Sequence, residues 1–168
     1  TFAGDVADVV ALIDELNAGP VHIYGFSYGG LIGQQLACER PARLRSLVLA
    51  NSLHSPEMWQ RSHENLNREL AHQYPDVWDR IQQLRSGGRT SSDPEMAALF
   101  AVASGSARSY DPRNAELLAS EPGDLSHSLY VAFGGENVDF VVGGEIPCIP
   151  DFRRRLAATS VPLLILAG

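Results

Sequence analysis

Over the first fifty residues, two rhythms of apolar positions alternate along the chain. Val6, Val9, Val10, Ile13 and Leu16 recur at helical spacing and predict a helix over Asp5–Asn17, closed by Gly19-Pro20. Val21–Tyr24 then has the length and composition of a strand. Helical spacing returns with Leu31, Ile32, Leu36 and Ala37, predicting a helix over Ser27–Arg40 that stops at Pro41. Gly30 and Gly33 would let that helix lie close to a sheet, at some cost in propensity. Leu44–Ala50 is almost continuously apolar, as a strand covered on both faces would be. Helix, strand, helix, strand in this order predicts an α/β fold with a parallel sheet and right-handed crossovers.

From Leu53 to Thr159 the pattern changes. Amphipathic helices are expected over Glu57–Tyr74, Asp76–Arg85 and Pro94–Ser104, the last opened by Ser92-Asp93-Pro94-Glu95 with proline at the first helical position. Asp111-Pro112-Arg113 is a weaker helix start, and Ser86-Gly87-Gly88 and Gly134-Gly135 are breaks. Val161–Gly168 reads as a third buried strand. A helical insertion between two strands of one parallel sheet is expected to be a lid over the carboxyl ends of the strands, where open α/β sheets bind ligands. The expected layout is therefore a core segment over 1–52, a helical lid over 53–158 and a core strand over 159–168.

The most specific chemistry lies between the first predicted strand and the second helix. Gly25-Phe26-Ser27-Tyr28-Gly29 is a G-x-S-x-G run in strand–turn–helix context, which lifts a serine onto the apex of a tight turn. Gly25 and Gly29 are expected to be the positions where a Cβ would clash. The helix N-terminus directs N–H groups and a positive dipole end toward the serine. Ser27 is thus the candidate nucleophile, and the backbone N–H of Tyr28 the candidate oxyanion donor. A glycine-rich turn with an incidental serine is the plain alternative.

Composition narrows the partners. A net charge of −7 disfavours nucleic acid and anionic membrane surfaces, no apolar run is long enough to span a bilayer, and no export signal is visible. Cys38 and Cys148 show no close pairing. A cytoplasmic setting is expected. Neither G-x-x-x-x-G-K-[ST] nor G-x-G-x-x-G occurs, so no nucleotide cofactor is expected. His54, His63 and His72 are nine residues apart, two and a half helical turns, so they face opposite sides and predict no metal site. His54, just past a strand, is a minor candidate for a substrate role; His22 is expected to point into a sheet–helix layer. The lid aromatics Trp59, Trp78, Phe100, Tyr110 and Tyr130 are expected to pack the lid's own core rather than line a pocket. Arg153-Arg154-Arg155 reads as a solvated helix end. Glu136, Asp139 and Glu145 stand out among the acids because glycines flank their segment and let the backbone dip toward a site.

With these residues in view the chain resembles an internal piece of an α/β-hydrolase of the proline iminopeptidase group. "VHIYGFSYGGLIGQQLACERPARLRSLVLANSLHS" resembles that group's elbow, helix and following strand; "FGGENVDFVVGG" resembles its lid segment around an amine-binding acid; "LAATSVPLLILAG" resembles the strand before the catalytic aspartate. The resemblance implies a serine hydrolase without cofactor that releases N-terminal residues, proline above all, from small peptides or amides. Glu136 or Asp139 would bind the substrate's amine through a charge-assisted hydrogen bond. An esterase or other acyl hydrolase is the alternative within the class, and a catalytically inactive fragment or binding module the alternative outside it. In such enzymes the triad runs Ser, Asp, His. The aspartate and histidine are therefore expected past Gly168 and an HGG-type oxyanion loop before Thr1, and the 168-residue chain by itself is expected to be inactive.

Overall fold

The computed structural model describes residues 1–107 and 126–167. They form two compact units, one of Thr1–Met58 with Cys148–Gly168 and one of Trp59–Pro147.

The first unit opens with α1 (Phe2–Leu16). It starts three residues before the apolar spacing requires, because the Thr1 hydroxyl caps it by accepting the Gly4 N–H at 3.1 Å and because Phe2 is buried. Asn17 ends it in a left-handed conformation, φ 45°, which asparagine tolerates. β1 (Val21–Phe26), α2 (Tyr28–Glu39) and β2 (Leu44–Ala50) follow, with a 3₁₀ turn over Pro41–Arg43. The last strand of the chain, β3, covers Leu163–Leu166. The sheet has the order β1-β2-β3 and is parallel throughout. β1 extends two residues beyond the apolar run because pairing continues from Tyr24↔Val48 to Phe26↔Ala50.

Ile13, Leu36, Ala37, Leu44, Leu47, Leu49 and Val161 form the core of this unit. Gly33 lets α2 approach the sheet: a Cβ there would lie 2.7 Å from Leu47 Cδ1. Among the described residues of this unit, α1 and α2 pack on the face that carries Val21 and Ile23. Along β1 the half-buried Val21 and Ile23 alternate with exposed His22, Tyr24 and Phe26. His22 therefore faces away from the sheet–helix layer, and its Nδ1 meets Ser46 Oγ across the strands at 2.7 Å. β3 also departs from the buried strand expected. All four residues are exposed within this chain, Ile165 by 67 %, and α2 packs mainly against β1 and β2.

The arginine run is solvent-exposed at Arg153 and Arg154, as expected, and also carries ion pairs that the sequence did not predict. It opens the short helix α7 (Arg153–Ala157) and engages carboxylates. Arg153 pairs with Asp151 at 2.5 Å and Glu57 at 3.0 Å, and Arg155 with Glu39 at 3.2 Å. Hydrogen bonds from Arg153 hold the Asp151 carboxyl down at about 2.

The second unit contains most of α3 (Pro56–Gln73), then α4 (Pro75–Ser86), α5 (Pro94–Ala107) and α6 (His127–Gly134). Leu70, Ile81, Leu84, Met96 and Phe100 are its core, with Trp78 and Phe140 packed against them. Trp59 packs on Phe133 with ring centroids 5.3 Å apart. Trp78 and Phe100 thus serve the core of their own unit; Tyr110 and the helix start expected at Asp111 lie outside the described residues. After α6 the chain runs through a narrow closed loop. Gly143 N–H bonds Gly134 O at 2.7 Å and Glu145 N–H bonds Phe133 O at 2.9 Å. Gly135 (φ 88°) and Gly144 (φ 56°) make this possible, since a Cβ on Gly144 would lie 2.4 Å from Phe133 O.

Candidate active site

Parallel pairing brings the carboxyl ends of the strands together, and Ser27 stands immediately beyond one of them. Its N–H prolongs the sheet by bonding Ala50 O at 3.0 Å, and its carbonyl accepts the Gly30 N–H at 3.0 Å as α2 begins. One residue must therefore turn the chain from strand to helix. Ser27 does so at φ 49° and ψ −117°. Among the described residues Asn17 and Asn51 are the other non-glycine residues with positive φ, and asparagine visits that region readily; serine has no such licence. Conformations of this kind cost on the order of 1–3 kcal/mol and persist only where the surroundings impose them. The Ser27 side chain is exposed, and its hydroxyl has no hydrogen-bond partner among the described residues.

The crowding around the turn is distributed differently from the motif's symmetry. A Cβ on Gly25 would sit 2.6 Å from Gly29 O, 2.7 Å from Gly30 Cα and 2.8 Å from Gly30 N, all backbone atoms. A Cβ on Gly29 would meet nothing within 4 Å. The second indispensable glycine is Gly30, where a Cβ would fall 2.2 Å from Ser52 Oγ. The expectation for Gly29 fails because its Cα hydrogens face outward from the first turn of α2, while Gly30 turns toward the loop after β2.

That loop supports the turn. Ser52 Oγ donates to the carbonyl of Ser27 at 2.9 Å. Gln34, 1 % exposed, donates from Nε2 to Leu53 O at 2.7 Å and Gly30 O at 3.1 Å. On the other side, Tyr28 donates from its hydroxyl to the carboxylate of Asp5 on α1, and the Phe2 ring meets it edge-on with centroids 6.1 Å apart. Ser52, Gln34 and Asp5 carry no motif signal, and only Gly30 in the sequence hinted that something packs against the start of α2.

In the second unit the candidate acids have distinct environments. Glu136 is exposed and accepts from Ser92 Oγ at 2.5 Å. Asp139, with a side chain 13 % exposed, lies 3.9 Å from His63 Nδ1, its N–H bonded to Ser91 Oγ at 3.2 Å and its carbonyl to Asn67 Nδ2 at 2.7 Å. Burial pushes the His63 pKa down, and the neighbouring Asp139 offsets this only partly. Glu145 is half-buried at the closing end of the glycine loop. His54 lies beyond β2, its carbonyl accepting the Phe152 N–H at 2.9 Å. Among the described residues no group of three or more His, Cys, Asp or Glu is arranged to hold a metal ion, and no helix is long and apolar enough to cross a membrane.

A serine at a positive-φ turn between a parallel strand and a helix is the fold's own signature, and residues 1–98, more than half the chain, match the model of the alpha/beta hydrolase fold; the chain belongs to that family. The proline iminopeptidase of Clostridium botulinum is 26 % identical over 166 residues, covering 97 % of this chain and 54 % of the relative. RutD of Variovorax paradoxus, named as a proposed carbamate hydrolase, is 45 % identical over 49 residues, covering 29 % of this chain and 18 % of the relative. The crystal structure of a proline iminopeptidase from Mycobacterium smegmatis superposes with a TM-score of 0.68 at 22 % identity, over 98 % of this chain and 54 % of that one. The chain thus spans about half the length of the relatives that it matches from end to end.

Proposed function

We propose that the chain carries the nucleophile of a serine hydrolase, and that the whole protein releases N-terminal residues, proline among them, from peptides or amides. The observation that carries the reading is the backbone of Ser27, a serine held at φ 49° where β1 passes into α2. Strain at an exposed hydroxyl serves chemistry better than folding. In the reaction, Ser27 Oγ attacks the substrate carbonyl carbon while a histidine takes its proton, and the Tyr28 N–H stabilises the negative oxygen that forms. The tetrahedral species collapses, the histidine returns the proton to the leaving amine, and water hydrolyses the acyl-serine. The histidine and the aspartate that orients it come, on this reading, from parts of the protein beyond this chain.

Substrate choice rests on the acids of the inserted helical unit, read as a lid. Glu136 is favoured as the partner of the substrate ammonium, because it is exposed on a glycine-pinned loop whereas the Asp139 side chain lies mostly buried beside His63. The similarity to RutD supports a second reading, an acyl hydrolase other than a peptidase.

Two measurements on the full-length natural protein test these readings. Ser27→Ala should abolish turnover and covalent labelling by a fluorophosphonate; undiminished labelling would remove Ser27 from the chemistry. Glu136→Gln should lower kcat/KM for proline amide by roughly 10- to 150-fold, the value of about 1.5–3 kcal/mol for a charge-assisted hydrogen bond, and leave a neutral ester of similar size nearly unaffected. Equal losses on both substrates would mean that Glu136 only supports packing, and no effect on either would favour the acyl-hydrolase reading.

A further inference from the structure

Gly30, Ser52 and Gln34 form one device around the candidate nucleophile. Ser27 can keep its backbone at φ 49° and ψ −117° only if neighbouring groups hold both of its peptide ends. The N–H is held by the sheet through Ala50 O. The carbonyl is held by two donors, the Gly30 N–H at 3.0 Å and the Ser52 hydroxyl at 2.9 Å. The first is what any helix start supplies. The second comes from 25 residues away in sequence and needs a specific vacancy, since a Cβ on residue 30 would lie 2.2 Å from Ser52 Oγ and 2.4 Å from Ser52 Cβ.

The hydroxyl has one proton and two acceptors in range, Ser27 O at 2.9 Å and Leu53 O at 3.3 Å. The Leu53 carbonyl is already served by Gln34 Nε2 at 2.7 Å, which leaves the proton for Ser27. The second proton of that amide goes to Gly30 O at 3.1 Å. A fully buried glutamine thus ties the loop after β2 to the first turn of α2, fixing the Ser52 backbone at the distance from which its hydroxyl reaches the Ser27 carbonyl.

We infer that Ser52 is a positioning residue for Ser27: through the Ser27 carbonyl, its hydroxyl holds the strained peptide in the orientation that presents Oγ for attack, with Gly30 providing the space and Gln34 the anchor. The inference rests on the serine-hydrolase reading. A positioning role predicts loss of rate without loss of substrate affinity, whereas a packing role predicts loss of stability alone.

The test uses the full-length natural protein and four variants, each measured for kcat, KM, rate of fluorophosphonate labelling and Tm. Ser52→Ala should lower kcat and the labelling rate together by about 2- to 12-fold, the range of one neutral hydrogen bond, with KM unchanged. Gly30→Ala should lose both rate and Tm. The double variant Gly30→Ala/Ser52→Gly removes both Ser52 atoms nearest the new methyl, leaving the Gly25 carbonyl at 3.3 Å, and should recover much of the lost Tm while the rate stays low. Full rate in Ser52→Ala, or recovery of rate along with Tm in the double variant, would overturn the positioning role. Ser27→Ala separates the two readings: if it keeps its turnover, the nucleophile assignment fails; if it is dead while Ser52→Ala is unimpaired, only the Ser52 inference fails.

Discussion

Gly25 and Gly29 occupy equivalent places in G-x-S-x-G, and the structure predicts opposite outcomes for replacing them with alanine. Neither has positive φ, so the backbone of each accepts an alanine and the difference is purely one of space. At Gly25 the new methyl would lie 2.6–2.8 Å from three backbone atoms of the first turn of α2, none able to rotate away. Relief requires β1 and α2 to separate by roughly half an ångström or more, so the upper end of the overpacking range applies, about 3 kcal/mol. At Gly29 the methyl meets nothing, and the helix propensity of alanine over glycine gives a gain of about 0.5 kcal/mol in a first turn. At about 2–4 °C per kcal/mol, Gly25→Ala should lower Tm by some 6–12 °C, while Gly29→Ala leaves it unchanged or slightly raised. Urea unfolding, which returns the free energy directly, is the assay, with circular dichroism to confirm retained secondary structure. Equal destabilisation by the two substitutions, or a Gly25→Ala protein as stable as its parent, would refute the reasoning.

Two further outcomes follow from burial. Because desolvation lowers the folded-state pKa of His63 below its ordinary 6.5, the unfolded chain binds the extra proton first, so stability is complete above that pH and falls as the solution is acidified. The slope is limited to about 1.4 kcal/mol per pH unit, and a His63→Gln variant should lack that component in a Tm–pH series. Phe152, fully buried beside α7, should cost about 3–5 kcal/mol when replaced by alanine; a loss under 1 kcal/mol in urea unfolding would mean its pocket collapses.

What the sequence determined by itself was local. Apolar periodicity located α1 to α5 to within a few residues but gave no sign of α6, and Leu44–Ala50 has the same ends in the structure as in the pattern. Such signals are legible because burying one stripe of a helix, or one face of a strand, imposes a period on the chain. The strand–serine–helix order was legible for the same reason, as was the parallel sheet implied by helices between strands. Tertiary structure decided whatever depends on distance between remote residues. It made Gly30 and not Gly29 the crowded glycine, because only packing brings Ser52 against α2. It turned the arginine run into ion pairs with Asp151, Glu57 and Glu39, carboxylates whose proximity no spacing encodes. It left β3 exposed within this chain, since apolar composition states what a strand can bury and only the neighbouring elements state what covers it. And it separated Glu136 from Asp139, two acids alike in sequence, by placing one on the surface and the other beside a half-buried histidine.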